Sequence, residues 1–249
     1  MLLIKNIIKK ILPKFIFIFY KNLLNQILRN KYSKINNHKI FQNIYTKNIW
    51  SNDKNNRFYS GIGSHDPLFV NEYVNNLKKY LDSFEKKLDV VDAGCGDFAV
   101  GSKIRKYFNN YIAVDIFNEL IEFNKKEYKN FNVDFKSVDI TKTKLPVADI
   151  CISRQVLQHL SNEMISNFLN LIKGNYKYLI ITEHLPSLKN FTANLDKQTD
   201  HDIRLSIKSG VDLTLPPFNV KPIKNIVLCE TYVKNIDGVL RTNILQLKN

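Results

Sequence analysis

The run Leu88-Asp89-Val90-Val91-Asp92-Ala93-Gly94-Cys95-Gly96-Asp97-Phe98-Ala99-Val100-Gly101 constrains the fold more than any other stretch of the chain. Apolar residues suited to a buried strand lead into two closely spaced glycines and then into a helix start. That strand–turn–helix geometry lets a backbone approach an adenosine-containing cofactor closely. Three acids, Asp92, Asp115 and Asp139, each close a strand-like run, so the ends of three successive strands carry carboxylates.

The segments that follow alternate in type. Near-continuous apolar runs predict strands over 88–93, 111–115, 133–138, 148–153 and 178–182, and the 3.6-residue period predicts helices over 100–108, 118–128 and 162–172. Upstream, residues 35–50 read as a short helix, and Pro67 sits in the first turn of a helix that runs to residue 84. Strand–helix alternation with apolar strands means a parallel sheet covered on both faces. The ending differs: 223–233 and 239–247 read as strands joined by Asn235-Ile236-Asp237-Gly238, an antiparallel hairpin. The polar stretch between Glu183 and Lys221 has weak periodicity and length enough for a lid or binding element.

The chain has 249 residues, 44% of them hydrophobic and 12% aromatic, enough for one full α/β core with an N-terminal extension left over. Its net charge of +14 is unevenly placed. Residues 1–52 hold ten of the 37 Lys and Arg and no acid, which leaves 27 bases against 23 acids in the remainder. The body is only mildly basic, so a nucleic-acid-binding surface is not indicated. Cys95, Cys151 and Cys229 lie far apart with no CxxC or Cys/His spacing, which points away from a disulfide framework and from any metal site. A reducing compartment follows, with Cys151 and Cys229 as buried thiols.

On a helical wheel Ile4, Ile7, Ile8, Ile11, Phe15, Ile18 and Phe19 share one face, with Lys5, Lys9, Lys10, Lys14 and Lys21 opposite. The longest uninterrupted apolar run, residues 15–20, is far short of the roughly 20 residues a membrane span needs. No small-residue cleavage site marks a signal peptide. Two readings stay open: a basic amphipathic helix on an anionic membrane surface, or a helix packed on the domain with a solvated lysine face. Pro13 divides or kinks either one. The expected organisation is a basic helical extension over 1–50 and a catalytic domain over 51–249.

Gly94-x-Gly96-x-x-Ala99 satisfies the dinucleotide fingerprint, with Asp115 about 20 residues on as a ribose ligand, and by itself fits NAD equally well. Asp92 tilts the choice, because a carboxylate at the strand end repels a pyrophosphate and suits a cofactor bearing a sulfonium and an ammonium. Asp139 adds an acceptor where an exocyclic adenine amine needs one. Asp92-Ala93-Gly94-Cys95-Gly96 with Asp115, Asp139 and Leu145-Pro146-Val147-Ala148-Asp149 resembles the class I S-adenosylmethionine-dependent methyltransferases over roughly residues 60–249. The resemblance implies an α/β fold: a doubly wound, Rossmann-like seven-stranded sheet whose last strand is antiparallel. It also implies that Gly94 and Gly96, with Cys95 between them, approach the methionine portion of the cofactor. Asp115 and Ile116 would serve the ribose side, and Asp139 with Ile140 the adenine.

Methyl transfer needs a nucleophile held behind the methyl group, and a base where that nucleophile is a hydroxyl. Candidates lie after the fourth and fifth strands. Ser153-Arg154-Gln155-Val156-Leu157-Gln158-His159-Leu160 places Arg154 and Gln155 at the cofactor cleft; His159 is either catalytic or structural. Thr182-Glu183-His184-Leu185-Pro186 offers Glu183 and His184 as bases, with Glu183 alternatively orienting a ring or binding substrate. The loop Ser60-Gly61-Ile62-Gly63-Ser64 either closes over the cofactor or simply connects. Asp200-His201-Asp202-Ile203-Arg204, with the proline cluster after it, resembles the segment before the terminal hairpin in a group of uncharacterised bacterial methyltransferases. That likeness implies substrate-side roles for Asp202 and Arg204; a plain surface loop is the alternative.

No Asn/Asp-Pro-Pro-Tyr/Phe motif follows the fourth strand and no Pro-Cys dipeptide occurs, which argues against methylation of DNA bases. The expected activity is O-methylation of a small molecule, sugar or lipid-linked glycan, in the cytoplasm, with residues 1–30 as a peripheral membrane contact. An NAD-dependent sugar-modifying enzyme and a catalytically silent, membrane-associated member of the fold are the alternatives.

Overall fold

A computed structural model describes residues 37–51, 57–188, 190–233 and 237–248. The amphipathic face read over residues 4–21 lies outside the described residues, as do two of the four hairpin-turn residues, 235 and 236. Asn37–Asn249 forms one compact unit. Helix α1 (Asn37–Thr46) falls within it, although the boundary drawn from sequence at residue 50 assigns these residues to the extension.

Among the described residues two further helices precede the sheet. These are the single turn α2 (Ile62–His65) and α3 (Pro67–Leu81). Asp66 caps α3, its carboxylate accepting from the Leu68 amide at 2.8 Å, and Pro67 occupies the first turn, where its missing N–H costs nothing. Then β1 (Val90–Ala93), α4 (Ala99–Ile104), β2 (Tyr111–Asp115), α5 (Asn118–Glu127) and β3 (Asp134–Ser137) follow in strict alternation. The second half runs β4 (Ile150–Arg154), α6 (Asn162–Ile172), β5 (Tyr178–Pro186), β6 (Lys224–Val233) and β7 (Gly238–Gln246).

The seven strands form one sheet in the order β3-β2-β1-β4-β5-β7-β6. The first five are parallel; β7 pairs antiparallel with β5, and β6 antiparallel with β7. The terminal hairpin read from sequence therefore supplies the antiparallel edge. Strand order reverses between β1 and β4, which opens a crevice beyond their carboxyl ends, where open α/β sheets bind ligands.

Strand residues alternate between two cores, as the period of two requires. Val90, Ile150, Ile152 and Ile180 pack with Val70, Tyr73 and Leu77 of α3 and Ile104 of α4. Val91, Ala93, Cys151 and Ile181 pack on the other face with Ile165, Phe168 and Ile172 of α6. Tyr45 at the end of α1, Phe58, Phe117 and Leu120 form a third cluster.

Two elements differ from the sequence expectation. The helix expected over 100–108 stops at Ile104 and tightens into a 3-10 turn, Arg105–Tyr107. The fifth strand, expected to end at residue 182, runs on to Pro186 because β7 pairs with it residue by residue, Pro186 opposite Gly238. Glu183 and His184 thus stand on a rigid strand and not on the loop after it.

Candidate active site

A cavity of about 300 Å³ lies at the carboxyl ends of β1, β2 and β4, roofed by Tyr45, Trp50, residues 60–64, His201 and Ile203. Its floor is the glycine turn. Gly94 and Gly96 have φ of 87° and 55°, in the left-handed region that favours glycine. A Cβ on Gly94 would lie 2.4 Å from a Val156 methyl, and one on Gly96 2.4 Å from Ser60 Oγ. The Gly96 amide donates to Asp115 Oδ2 at 3.1 Å, and Asn124 Nδ2 donates to the Gly96 carbonyl at 2.7 Å. The turn is therefore pinned from β2 and from α5.

Asp92 and Asp115 are both buried at the cavity wall. Burial pushes each carboxyl up to about 6, against the hydrogen bonds that pull it down. For Asp92 that bond comes from the Tyr111 hydroxyl at 2.8 Å; for Asp115 the amides of Phe117 and Gly96 contribute. Two buried carboxylates this close to an open cavity favour a cationic ligand. Asp139 also lines the cavity, but its Oδ1 already accepts from Thr141 N and Thr141 Oγ1 at 3.0 and 2.7 Å. Cys95, Ile116 and Ile140 complete this half of the lining.

Opposite charge stands at the tip of β4. Arg154 is stacked over the Tyr73 ring at 5.2 Å and donates through Nη2 to the Gly63 carbonyl at 2.7 Å. Its Nε, the Tyr73 hydroxyl and Gln155 Nε2 are buried without a hydrogen-bond partner, and all three residues line the cavity. Unpaired buried donors are costly in a finished core and mark a place for a ligand acceptor. Acids at β1 and β2 with orphaned donors at β4 match an amino-acid zwitterion: ammonium toward Asp92, carboxylate toward Arg154. The donor set and the glycine cradle thus fit S-adenosylmethionine, and Asp92 disfavours a pyrophosphate at the same turn.

The loop with the second pair of glycines proves to be a clamp. Ser60 N donates to Asp97 Oδ2 at 2.9 Å, Asp97 N donates to Ser60 Oγ at 2.8 Å, and His65 Nε2 lies 2.6 Å from the same carboxylate. Tyr45 OH reaches Ser60 Oγ at 3.3 Å. Trp50 packs on the His159 ring at 5.1 Å between centroids and donates from Nε1 to the His201 carbonyl at 3.2 Å, joining the two roof segments. Sequence reasoning missed Tyr45, Tyr73, Asp97 and Gln158, whose partners lie far away in the chain. Only the Ser-Gly-Ile-Gly-Ser pattern signalled this part of the site.

Of the candidate bases, His184 and His159 line the cavity and Glu183 does not. Glu183 faces the opposite side of β5, where Oε1 and Oε2 accept from the amides of Leu157 and Gln158 at 2.9 and 3.0 Å. Burial pushes its carboxyl up to about 8. Its role as a base is corrected: it anchors the 3-10 turn Leu157–His159. His184 hydrogen-bonds through Nδ1 to Gln158 Oε1 at 2.9 Å, and burial, then the charge of Arg154, lowers it to about 4. His159 is lowered to about 3, chiefly by burial.

Asp202 and Arg204 are corrected as well, since neither lines the cavity. Arg204 is fully buried, and its guanidinium donates to the Leu160 carbonyl at 2.6 Å and to the Leu195 carbonyl. It holds the 187–221 segment to the end of the Leu157–His159 turn. Asp202 points outward, 3.3 Å from His201 Nε2. Among the described residues no group of three or more His, Cys, Asp or Glu is placed to hold a metal ion.

Comparison with known proteins agrees with this geometry. A family model described as "Methyltransferase domain" matches residues 91–174, the span from β1 to the end of α6. No curated protein matches the chain. Among solved structures, the chain is similar to the N-methyltransferase NodS from Bradyrhizobium japonicum WM9 in complex with S-adenosyl-L-homocysteine. That match has a TM-score of 0.54 and 10% identity and covers 75% of this chain and 91% of that one. It is also similar to magnesium protoporphyrin IX methyltransferase (ChlM) from Synechocystis PCC 6803 with bound SAH, at TM-score 0.50 and 14% identity, over 89% and 99% of the two chains. TehB from Haemophilus influenzae matches at TM-score 0.50 and 15% identity, over 71% and 62%. These likenesses show the fold, and the family match spans the strands that build the glycine turn and the acidic half of the cavity. Residues 91–174 thus match a methyltransferase domain, and the seven-stranded sheet around them has the class I methyltransferase fold.

Proposed function

We propose that the enzyme methylates a hydroxyl of a small molecule, sugar or lipid-linked glycan, with His184 as general base. The observation that carries this reading is an imidazole that lines the cavity wall at the end of β5 and is held through Nδ1 by Gln158 at 2.9 Å, with burial keeping the ring neutral. When bound, S-adenosylmethionine supplies a methyl group on a sulfonium, which a nucleophile removes by in-line displacement to leave a neutral thioether. Asp92, Gly94, Cys95 and Gly96 cradle the amino-acid end, with Arg154 and Gln155 taking its carboxylate. Asp115 and Ile116 take the ribose, Ile140 flanks the adenine, and Asp139 offers its remaining lone pairs to the exocyclic amine. His184 accepts the proton that the acceptor hydroxyl loses as its oxygen gains the methyl. Holding the hydroxyl next to that base behind the methyl group supplies most of the acceleration through proximity.

A methyltransferase assay with labelled S-adenosylmethionine against pools of glycans and small metabolites tests the reading. Transfer to oxygen, lost in His184→Asn with cofactor affinity intact, supports it. Transfer to nitrogen, or full turnover by His184→Asn, overturns it. Among the described residues no helix is long and apolar enough to cross a membrane. The basic amphipathic pattern of residues 1–30 supports a cytoplasmic enzyme that touches an anionic membrane surface. Liposome flotation of the chain with and without residues 1–36 tests this, and equal flotation of both excludes the segment as an anchor.

A further inference from the structure

We propose that Gln158 is a positioning residue that fixes His184 in the tautomer with its proton on Nδ1 and its lone pair on Nε2. The inference rests on the reading of His184 as the base and adds what makes it competent.

The orientation of the Gln158 amide is settled by a group that can only donate. The His184 backbone N–H lies 3.3 Å from one end of that amide, so that end must be the carbonyl oxygen. The same oxygen lies 2.9 Å from His184 Nδ1. An amide oxygen only accepts, so Nδ1 must carry a hydrogen, and in a neutral ring the other nitrogen then has the lone pair. The far end of the amide agrees: Gln158 Nε2 faces the Gln155 carbonyl, which can only accept, at 3.5 Å, and lies 3.4 Å from His159 Nε2, which accepts in one of its tautomers.

The support beneath Gln158 is rigid. The Gln158 backbone N–H donates to Oε2 of Glu183, the residue before His184 on β5, so the turn bearing the side-chain amide and the strand bearing the imidazole are tied at two adjacent points. Gln158 and His184 are both buried. An imidazole without such a partner favours a proton on Nε2, the form that cannot accept from an acceptor hydroxyl. Fixing the tautomer through the second ring nitrogen is the task an orienting acceptor performs for a catalytic histidine elsewhere.

Histidine-selective 15N labelling and long-range 1H–15N spectra of the full chain test this, with the His184 signals assigned by their loss in His184→Asn. The parent should show an unprotonated Nε2 and a protonated Nδ1. Gln158→Leu, which keeps the bulk but cannot accept, should shift the ring toward Nε2–H. It should also lower kcat about ten- to a hundredfold with little change in KM for the cofactor. Gln158→Glu restores an acceptor; it should retain the parent tautomer and raise the pH at which His184 protonates. A parent spectrum with Nε2–H overturns the proposal, as does an unchanged tautomer in folded Gln158→Leu. If Gln158→Leu does not fold, the parent and Gln158→Glu spectra decide. Full turnover by His184→Asn removes the base while leaving the tautomer result intact, so the two readings fail separately.

Discussion

Replacing Asp92 by Asn should make the ligand-free protein more stable and the cofactor complex weaker. Asp92 is 6% exposed, and burial raises its carboxyl from 3.8 to about 6 despite the Tyr111 hydroxyl. A carboxyl raised in the folded state contributes stability that is complete below the unfolded value and is lost as pH rises through the folded one. At about pH 7.5 the full shift corresponds to about 3 kcal/mol of destabilisation. Burial is the larger cause and the charge of the nearby Asp115 adds to it, so removing the Asp92 charge while keeping a buried polar group in its place should recover about 1–2 kcal/mol. Asn keeps the acceptor for Tyr111, so no buried hydroxyl is orphaned. Against this, the loss of a charged partner for the cofactor ammonium should weaken S-adenosylhomocysteine by roughly ten- to a hundredfold, the equivalent of about 1.5–3 kcal/mol. Urea unfolding at pH 5 and pH 7.5 with calorimetric titration of the ligand measures both. The parent should be relatively more stable at pH 5 and the variant less sensitive to pH. A variant that loses more than about 1 kcal/mol at pH 7.5 while keeping parental affinity would refute the reasoning, because Asp92 would then be a structural acceptor only.

Gly94→Ala should destabilise through both its φ of 87° and the Val156 methyls. Adding Val156→Ala should restore about 1–3 kcal/mol of that, visible as non-additivity in a double-mutant cycle of urea unfolding. Arg204→Ala should cost about 2–4 kcal/mol, by orphaning the Leu160 and Leu195 carbonyls, with KM for acceptor unchanged at temperatures where the variant is folded. Cofactor affinity should fall as pH drops through about 6, where Asp92 and Asp115 protonate. The same acid limb should appear in S-adenosylhomocysteine binding by His184→Asn, since it belongs to the carboxylates and not to the base.

The glycine turn, the acids at three strand ends and the terminal hairpin were legible because each is local: spacing and period place them before any tertiary contact forms. What was not legible depends on partners far apart in the chain. Gln158 and His184 are 26 residues apart, and Ser60 and Asp97 37 apart, so neither pairing leaves a trace in spacing. The likeness that implies a substrate-side role for Arg204 does not foresee that the Leu160 and Leu195 carbonyls draw its guanidinium inside. Glu183 is misplaced for a different reason. Pairing with β7 extends the fifth strand, and the alternation of side chains then turns Glu183 away from the cavity and His184 toward it.

Which cofactor the glycine turn cradles is decided by one titration. Isothermal calorimetry of the full chain with S-adenosylhomocysteine, and in parallel with NAD, should give saturable one-site binding for the first, none for the second, and strong weakening in Asp115→Ala. Binding of NAD with no heat from S-adenosylhomocysteine would contradict the assignment of S-adenosylmethionine.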